Sequence, residues 1–322
     1  MITPRLCAPA YELGEYAEPV AELQELLAMP QVAADLTSPA GGFLTYRWSE
    51  APVAELMTAA VRRCLAESGL LGAEIDLVLV ASDSLPPGRA AHRDVAEFLA
   101  ETGMKRATVT TIGLMDCATA IAGLGVAASF VRDGTARHVM LVSGDLAELS
   151  TGGQRVVAGG AAIASDAATA ALVSADAAGL PLLAMAHHTA TAQVENGGTP
   201  RSRLAARSAA YQELFARLGA RHPVRPDDAL VLPSNFARDV MRMYLAGVGF
   251  DSEHIAQENV GRIAHCQGSD PLINLADRLS QWKAAEPGGQ GVPGVAVLLG
   301  AGISHLAAVL LGSRTLPALR SV

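Results

Sequence analysis

The stretch MDCATAIAGLGVAASFVRDGTARHVMLVSGD, residues 115–145, decides the fold. From Ala118 to Val131 nearly every side chain is small or apolar. A helix that is apolar all round must be buried, and one this rich in Ala and Gly packs closely against its neighbours. Arg132, Asp133 and Gly134 end it, and HVMLVSGD (138–145) follows as an apolar strand. Upstream, ATVTTIGL (107–114) is a second strand that runs into the helix. The order strand, buried helix, strand is a βαβ unit of a mostly parallel sheet. Cys117 stands where the first strand becomes the helix.

Working outward, strands and helices keep alternating. On the N-terminal side lie a helix over 53–68, the strand DLVLVAS (76–82), the turn SLPPG and a helix over 91–102. Strands over 161–175 and LPLLAMAHH (180–188) follow. A polar stretch then reads as a loop and a helix, before the strand DALVLPSN (228–235) and a helix over 236–248. GRIAHCQG (261–268) reads as a strand, DPLINLADRLSQWKAA (270–285) as a helix, and 294–302 and 304–312 as closing strands. DLVLVASDS aligns with DALVLPSN, the strand ending at Cys117 with the one ending at Cys266, and HVMLVSGD with GVAVLLGAG. This pairing predicts a duplicated α/β fold with pseudo-twofold symmetry, residues 1–178 forming one half and 179–322 the other. The junctions at 116–117 and 265–270 then face each other near the axis, at carboxyl ends of strands where open α/β sheets bind ligands.

Composition narrows the function. Of 322 residues, 50% are hydrophobic and 17% charged, as suits a sizeable core. No apolar run reaches the roughly 18 residues of a membrane span. The first residues lack a basic-then-apolar leader pattern, so the expectation is a cytoplasmic protein with no membrane partner. A net charge of −8 argues against nucleic acid as the main partner. Arg201, Arg203 and Arg207 cluster locally, either as a solvated face or as a contact for an acidic partner. The four cysteines form no CxxC pair, which argues against a structural zinc or a disulfide framework. Cys64 falls in an amphipathic helix and reads as core; Cys7 reads as inert. No GxxxxGK[ST] loop or HExxH helix is present, and GAGISH lacks the context of a dinucleotide fingerprint, so no metal or permanently bound cofactor is expected.

Cys117 has two readings. The first turn of a helix offers free N–H groups and the positive end of the dipole, which favour a thiolate, the nucleophilic form. The alternative is a small cysteine buried in a core helix.

The segment 115–145 resembles the active-site segment of the ketoacyl synthase III family, within the thiolase superfamily. So do SPAGGFLTYRWSEAPVAELMTAAVRRCLAESGLLGAEIDLVLVAS (38–82), ASDAATAALV (164–173) and GVAVLLGAGISHLAAVLL (294–311), in the family's order. The resemblance implies a thiolase-like fold layered α-β-α-β-α, a homodimer, and a cysteine acylated by coenzyme A or acyl carrier protein thioesters. It also implies an oxyanion hole from the backbone N–H groups of Cys117 and Ala301. Two departures stand out. Chain-elongating members place a His at or near Ser234 and an Asn at Gln267, and these stabilise the enolate of decarboxylative condensation. The loop HCQGSDP instead supplies His265 and Asp270, which with Cys117 make a nucleophile, base and orienter. Asp270 also suits the N-cap of the helix that follows, with Pro271 at the first helical position. His265 also has a bland reading, as a buried and satisfied histidine. The pattern resembles the acyltransferase branch of this family in antibiotic pathways, which moves acyl groups onto hydroxyls of small-molecule acceptors.

The expectation is therefore an acyltransferase of specialised metabolism. It takes acyl-CoA or acyl-phosphopantetheine as substrate and transfers through acyl-Cys117 to a hydroxyl or amine. The donor tunnel is expected along 189–215. Weaker candidates are His187 or His188 as a second base, His305 as a pocket residue and Cys266 as a structural thiol pointing away from His265. A ketosynthase forming a C–C bond and a partner subunit with a degenerate site are the two rivals.

Overall fold

The computed structural model describes residues 2–191, 199–284 and 294–312. Nine strands form its main sheet: β1 (Arg5–Leu13), β2 (Leu77–Ala81), β3 (Thr108–Ile112), β4 (His138–Asp145), β5 (Ala167–Ser174), β6 (Leu180–Thr189), β7 (Ala229–Pro233), β8 (Val295–Ala301) and β9 (His305–Gly312). Their order is β7-β8-β9-β6-β1-β5-β4-β2-β3. On one side, β3 and β2, then β2 and β4, pair in parallel, and β4-β5-β1 is antiparallel. On the other, β7 and β8 pair in parallel, and β8-β9-β6 is antiparallel. The two sides repeat the same scheme, with β2, β4, β5 and β1 answered by β7, β8, β9 and β6. They touch at a narrow seam where Arg5 pairs with Pro181 and Leu6 with Leu180.

Six helices cover these half-sheets: α1 (Val53–Ser68), α2 (Arg89–Glu101), α3 (Thr119–Arg132), α4 (Pro200–Arg221), α5 (Arg238–Ala246) and α6 (Asp270–Ala284). Helix α3 packs on strands of both halves, and so does α6. Helix α1, with α2 beside it, covers the outer face of the first half, and α4 with α5 covers the second. The result is the expected layering α-β-α-β-α. The small side chains of α3 are what admit it to the centre. A methyl group on Gly125 would overlap Met185 of β6, its ideal Cβ falling 1.3 Å from the sulfur. Strand β4 is buried along its whole length, as its apolar run demands.

Several expectations are corrected here. Residues 261–268 are not a strand: Asn259–Ile263 is a short helix and Gln267–Ser269 a turn of 3-10 helix. The residue that takes the place of β3 in the second half is Ile255, through a single parallel bridge to Val231. The strand reading failed because alternation in so short a run does not tell a strand from a helical turn. The segment 189–215 is mainly helix, α4 beginning at Pro200, and residues 192–198 lie outside the described residues. Strand β1 at the chain's start had no counterpart in the sequence reading. Cys7 lies on it, buried, and Cys64 is buried in α1.

Candidate active site

The junctions at 114–117 and 264–270 meet between the half-sheets. Both are strained. Leu114 and Asp116 have φ of 66° and 47°, and Ala264 and Gln267 have 55° and 52°. Non-glycine residues avoid the left-handed region, and such strain persists only where the surroundings enforce it, commonly at functional sites. The second junction is pinned by backbone pairing: the His265 amide donates to the Ile163 carbonyl at 2.9 Å, and the Ser165 amide to the His265 carbonyl at 2.8 Å.

The side chains converge. Cys117 Sγ lies 3.1 Å from His265 Nε2. His265 Nδ1 lies 2.5 Å from Asp270 Oδ2. Cys117 is partly accessible, while the other three cysteines are buried. His265 and Asp270 are buried, and the imidazole meets the Phe236 ring edge-on with centroids 5.0 Å apart. Asp270 accepts from the Asn235 amide at 2.7 Å, from Asn235 Nδ2 at 3.1 Å and from the Cys266 amide at 2.7 Å. Its bonds therefore run to the His265 loop and to Asn235, not to the amides of its own helix as an N-cap's would.

Burial alone would pull the pKa of His265 down. The negative charges of Cys117 and Asp270, and hydrogen bonds to both, outweigh burial and raise it to about 10. An imidazolium held between the Cys117 sulfur and Asp270 is the arrangement this geometry favours.

The other predicted residues are placed as follows. The Ala301 amide, expected as an oxyanion donor, donates instead to Ser234 Oγ at 3.1 Å. The Cys117 amide has no hydrogen-bond acceptor among the described residues. The glycines around Ala301 are required by contact: a Cβ on Gly300 would sit 2.9 Å from both Ala118 Cα and the Cys117 carbonyl oxygen, and one on Gly302 would sit 2.7 Å from the Met115 carbonyl oxygen. Gln267 reaches the cavity, but its Nε2 donates to Ser150 Oγ at 2.5 Å. His187, His188 and His305 do not line that cavity. His188 lies on β6 with Nδ1 buried and unpartnered, and burial followed by Arg217's charge lowers its pKa. His305 Nδ1 instead pairs with Thr189 Oγ1 at 3.1 Å. Cys266 turns away from His265 toward the Ile263 carbonyl, and burial followed by the Asp270 charge raises its pKa.

A cavity of about 960 Å³ opens over Cys117. Ser150, Thr151 and Gln154 contribute to one part of its wall, and Phe236, Val240 and Tyr244 to another. Arg203 and Arg207 of α4 also line it. Arg207 is buried, which corrects the solvated-face reading for that residue, while Arg201 and Arg203 are exposed. The sequence reading missed Asn235 and Phe236, although Asn235 ends the stretch DALVLPSN that it aligned with β2 and Phe236 comes next. Among the described residues no cluster of three or more His, Cys, Asp or Glu is arranged to hold a metal ion.

No family model matches the sequence, and no curated protein does. Solved structures do. 3-Oxoacyl-[acyl-carrier-protein] synthase III from Aquifex aeolicus VF5 superposes with a TM-score of 0.75 at 16% identity, covering 96% of this chain and 100% of its own. The chain has the thiolase fold. Xanthomonas campestris OleA, solved with bound lauric acid and lauroyl-CoA, gives 0.75 at 14% identity over 97% of this chain and 99% of its own. Synthase III (FabH) from Pseudomonas aeruginosa PAO1 gives 0.71 at 17%, over 98% and 100%. At 14–17% identity the likeness extends to the fold, and the chemistry must be argued from the residues of this chain.

Proposed function

We propose that this protein is an acyltransferase that works through a covalent acyl-cysteine. The observation that carries this reading is the continuous chain of contacts from Cys117 Sγ through His265 to Asp270. The thiolate attacks the carbonyl carbon of an acyl thioester on coenzyme A or an acyl carrier protein. The tetrahedral oxyanion collapses, the donor thiol leaves carrying a proton, and the acyl group stays on sulfur. The Cys117 N–H is one oxyanion donor. Ala301 is the second, and it requires Ser234 Oγ to yield or share the bond. His265 then removes the proton from a hydroxyl or amine of a small-molecule acceptor as that group attacks the acyl-cysteine. Asp270 keeps the imidazole's Nδ1 protonated and oriented.

Two features weigh against decarboxylative condensation. Ser234 stands where the elongating relatives have an imidazole, and Gln267 is tied to Ser150. Neither offers the pair of free donors an enolate needs. A degenerate partner subunit would have no reason to keep a strained, fully hydrogen-bonded triad.

We read residues 1–178 and 179–322 as the two halves, the first supplying the sulfur and the second the imidazole and carboxylate. We further propose a cytoplasmic homodimer. No helix among the described residues is long and apolar enough to cross a membrane. Strand β3 is an edge strand with open hydrogen-bonding groups, placed to pair with a second copy.

The test is a two-stage reaction. The enzyme is charged with acyl thioesters and freed of donor, then given hydroxyl or amine acceptors; in parallel it receives malonyl thioester. O- or N-acylated product without CO2 release is expected. A carbon-chain product with CO2 release would establish condensation instead.

A further inference from the structure

The proposed chemistry leaves Arg207 unused. It is only 8% exposed. Nη1 donates to the carbonyls of Gly302 at 2.6 Å and Ile303 at 2.9 Å, and the guanidinium lies over the Tyr211 ring, 5.5 Å from its centroid. The buried ion pairs of the described residues are Arg155–Asp166 and His265–Asp270, and Arg207 is in neither. A buried guanidinium answered by two carbonyl dipoles and by Tyr211, with no carboxylate among its partners, is a costly arrangement unless a ligand supplies the missing charge. Arg207 lines the cavity, and none of its nitrogens is sealed away without a partner. The N–H groups not spent on the two carbonyls therefore remain open to a ligand.

The position of this cation limits the ligand. The turn it grips carries Ala301 and leans on the nucleophile: the Ile303 amide donates to Asp116 Oδ2 at 3.0 Å, next to Cys117. An anion bound here lies near the thioester itself. The phosphates of a coenzyme A or carrier-protein donor sit a whole pantetheine arm farther out. Asp83 and Asp116 line the same cavity, and burial followed by the Asp116 charge raises the pKa of Asp83. They repel a carboxylate and leave the α4 wall as its place. We infer that Arg207 is a specificity-determining residue for an acyl group that carries its own carboxylate, the half-thioester of a diacid. Its planar fork holds that carboxylate while the thioester carbonyl faces Cys117.

This inference rests on the reading that Cys117 is acylated, and one experiment separates the two. Rates of Cys117 acylation are measured by rapid quench and intact mass for malonyl, succinyl and glutaryl donors against propionyl and butyryl donors. Each acyl group is presented both on coenzyme A and as an N-acetylcysteamine thioester, which lacks the phosphates. The expected result is a preference of about ten-fold or more for at least one diacid half-thioester, on both carriers. Arg207→Gln is expected to erase it, and Arg207→Lys to retain part of it. The inference is overturned by equal wild-type rates for the two classes, a preference surviving in Arg207→Gln, or an Arg207 effect confined to the coenzyme A donors. The wild-type comparison needs no variant, so a misfolded Arg207→Gln protein cannot shelter the idea. If no donor of either class charges Cys117, the covalent reading fails; if butyryl charges it as fast as succinyl, only the role of Arg207 falls.

Discussion

Acylation removes the negative charge on Cys117 that helps hold a proton on His265. In the free enzyme that charge and Asp270 keep the imidazole protonated up to about pH 10. Once the sulfur is a thioester, only Asp270 remains, and the pKa of His265 falls toward the range where it can act as a base. Two outcomes follow. The transfer half-reaction rises with pH through a titration well below 10, and His265→Ala removes that dependence; stopped-flow release of product from pre-acylated enzyme reads both. Stability carries the opposite sign. The folded pKa of His265 lies above its ordinary 6.5, so the bound proton's contribution is complete below about pH 6.5 and is lost as pH rises through about 10. Urea unfolding across that window should show wild-type stability falling relative to His265→Gln, and parallel curves would contradict the assignment. Asp270→Ala leaves the imidazole and the amides of Asn235 and Cys266 without their acceptor. Breaking so buried a pair costs about 3–5 kcal/mol, measurable as a lower urea midpoint together with lost transfer. Cys117 was singled out by its place at the start of a small-residue helix, and the resemblance joined His265 and Asp270 to it; the three side chains do come together. Asn235 and Phe236 were not legible in the sequence, because their contacts reach across 29 residues, and the burial of Arg207, named there only as one of a cluster, rests on carbonyls of Gly302 and Ile303 far along the chain.

At the scale of the element, the turn GAGIS is tied to the nucleophile by shape. Gly300→Ala places a methyl group 2.9 Å from backbone atoms of Cys117 and Ala118, and neither can rotate away. Acylation should fall by about ten-fold or more while the protein stays folded, with an unchanged circular dichroism spectrum; an unaltered rate would show that the turn does not set the position of Cys117. Helix α3 and strand β4 were legible in outline, because a run of fourteen mostly small or apolar residues followed by an apolar strand admits one reading. The loop at 259–269 was not, because its course is set by pairing with residues 163–165, which lie about a hundred residues away in sequence.

For the whole molecule, the duplication was legible from three aligned strand pairs, and the strand order of the two half-sheets carries it through. The sequence reading placed one pair wrongly, since Ile255 and not the run ending at Cys266 takes the position of β3. The proposed dimer gives a prediction at this scale. Light scattering should return twice the chain mass of 33.2 kDa. Thr108 donates inward to Asp76, so alternate residues of β3 face the open edge, and Thr111→Pro, which removes a donor there, should shift the mass toward the monomer. A wild-type monomer would contradict that arrangement. The central claim is that a sulfur from one junction and an imidazole from the other divide a single acyl transfer between them. It is tested most directly by peptide-mapped mass spectrometry of wild-type, Cys117→Ala and His265→Ala proteins, quenched after addition of acyl thioester and again after acceptor. The account predicts an acyl group on Cys117 that the acceptor discharges in the wild type, none in Cys117→Ala, and one that persists in His265→Ala. An acyl group on another residue, or one discharged equally fast without His265, would contradict it.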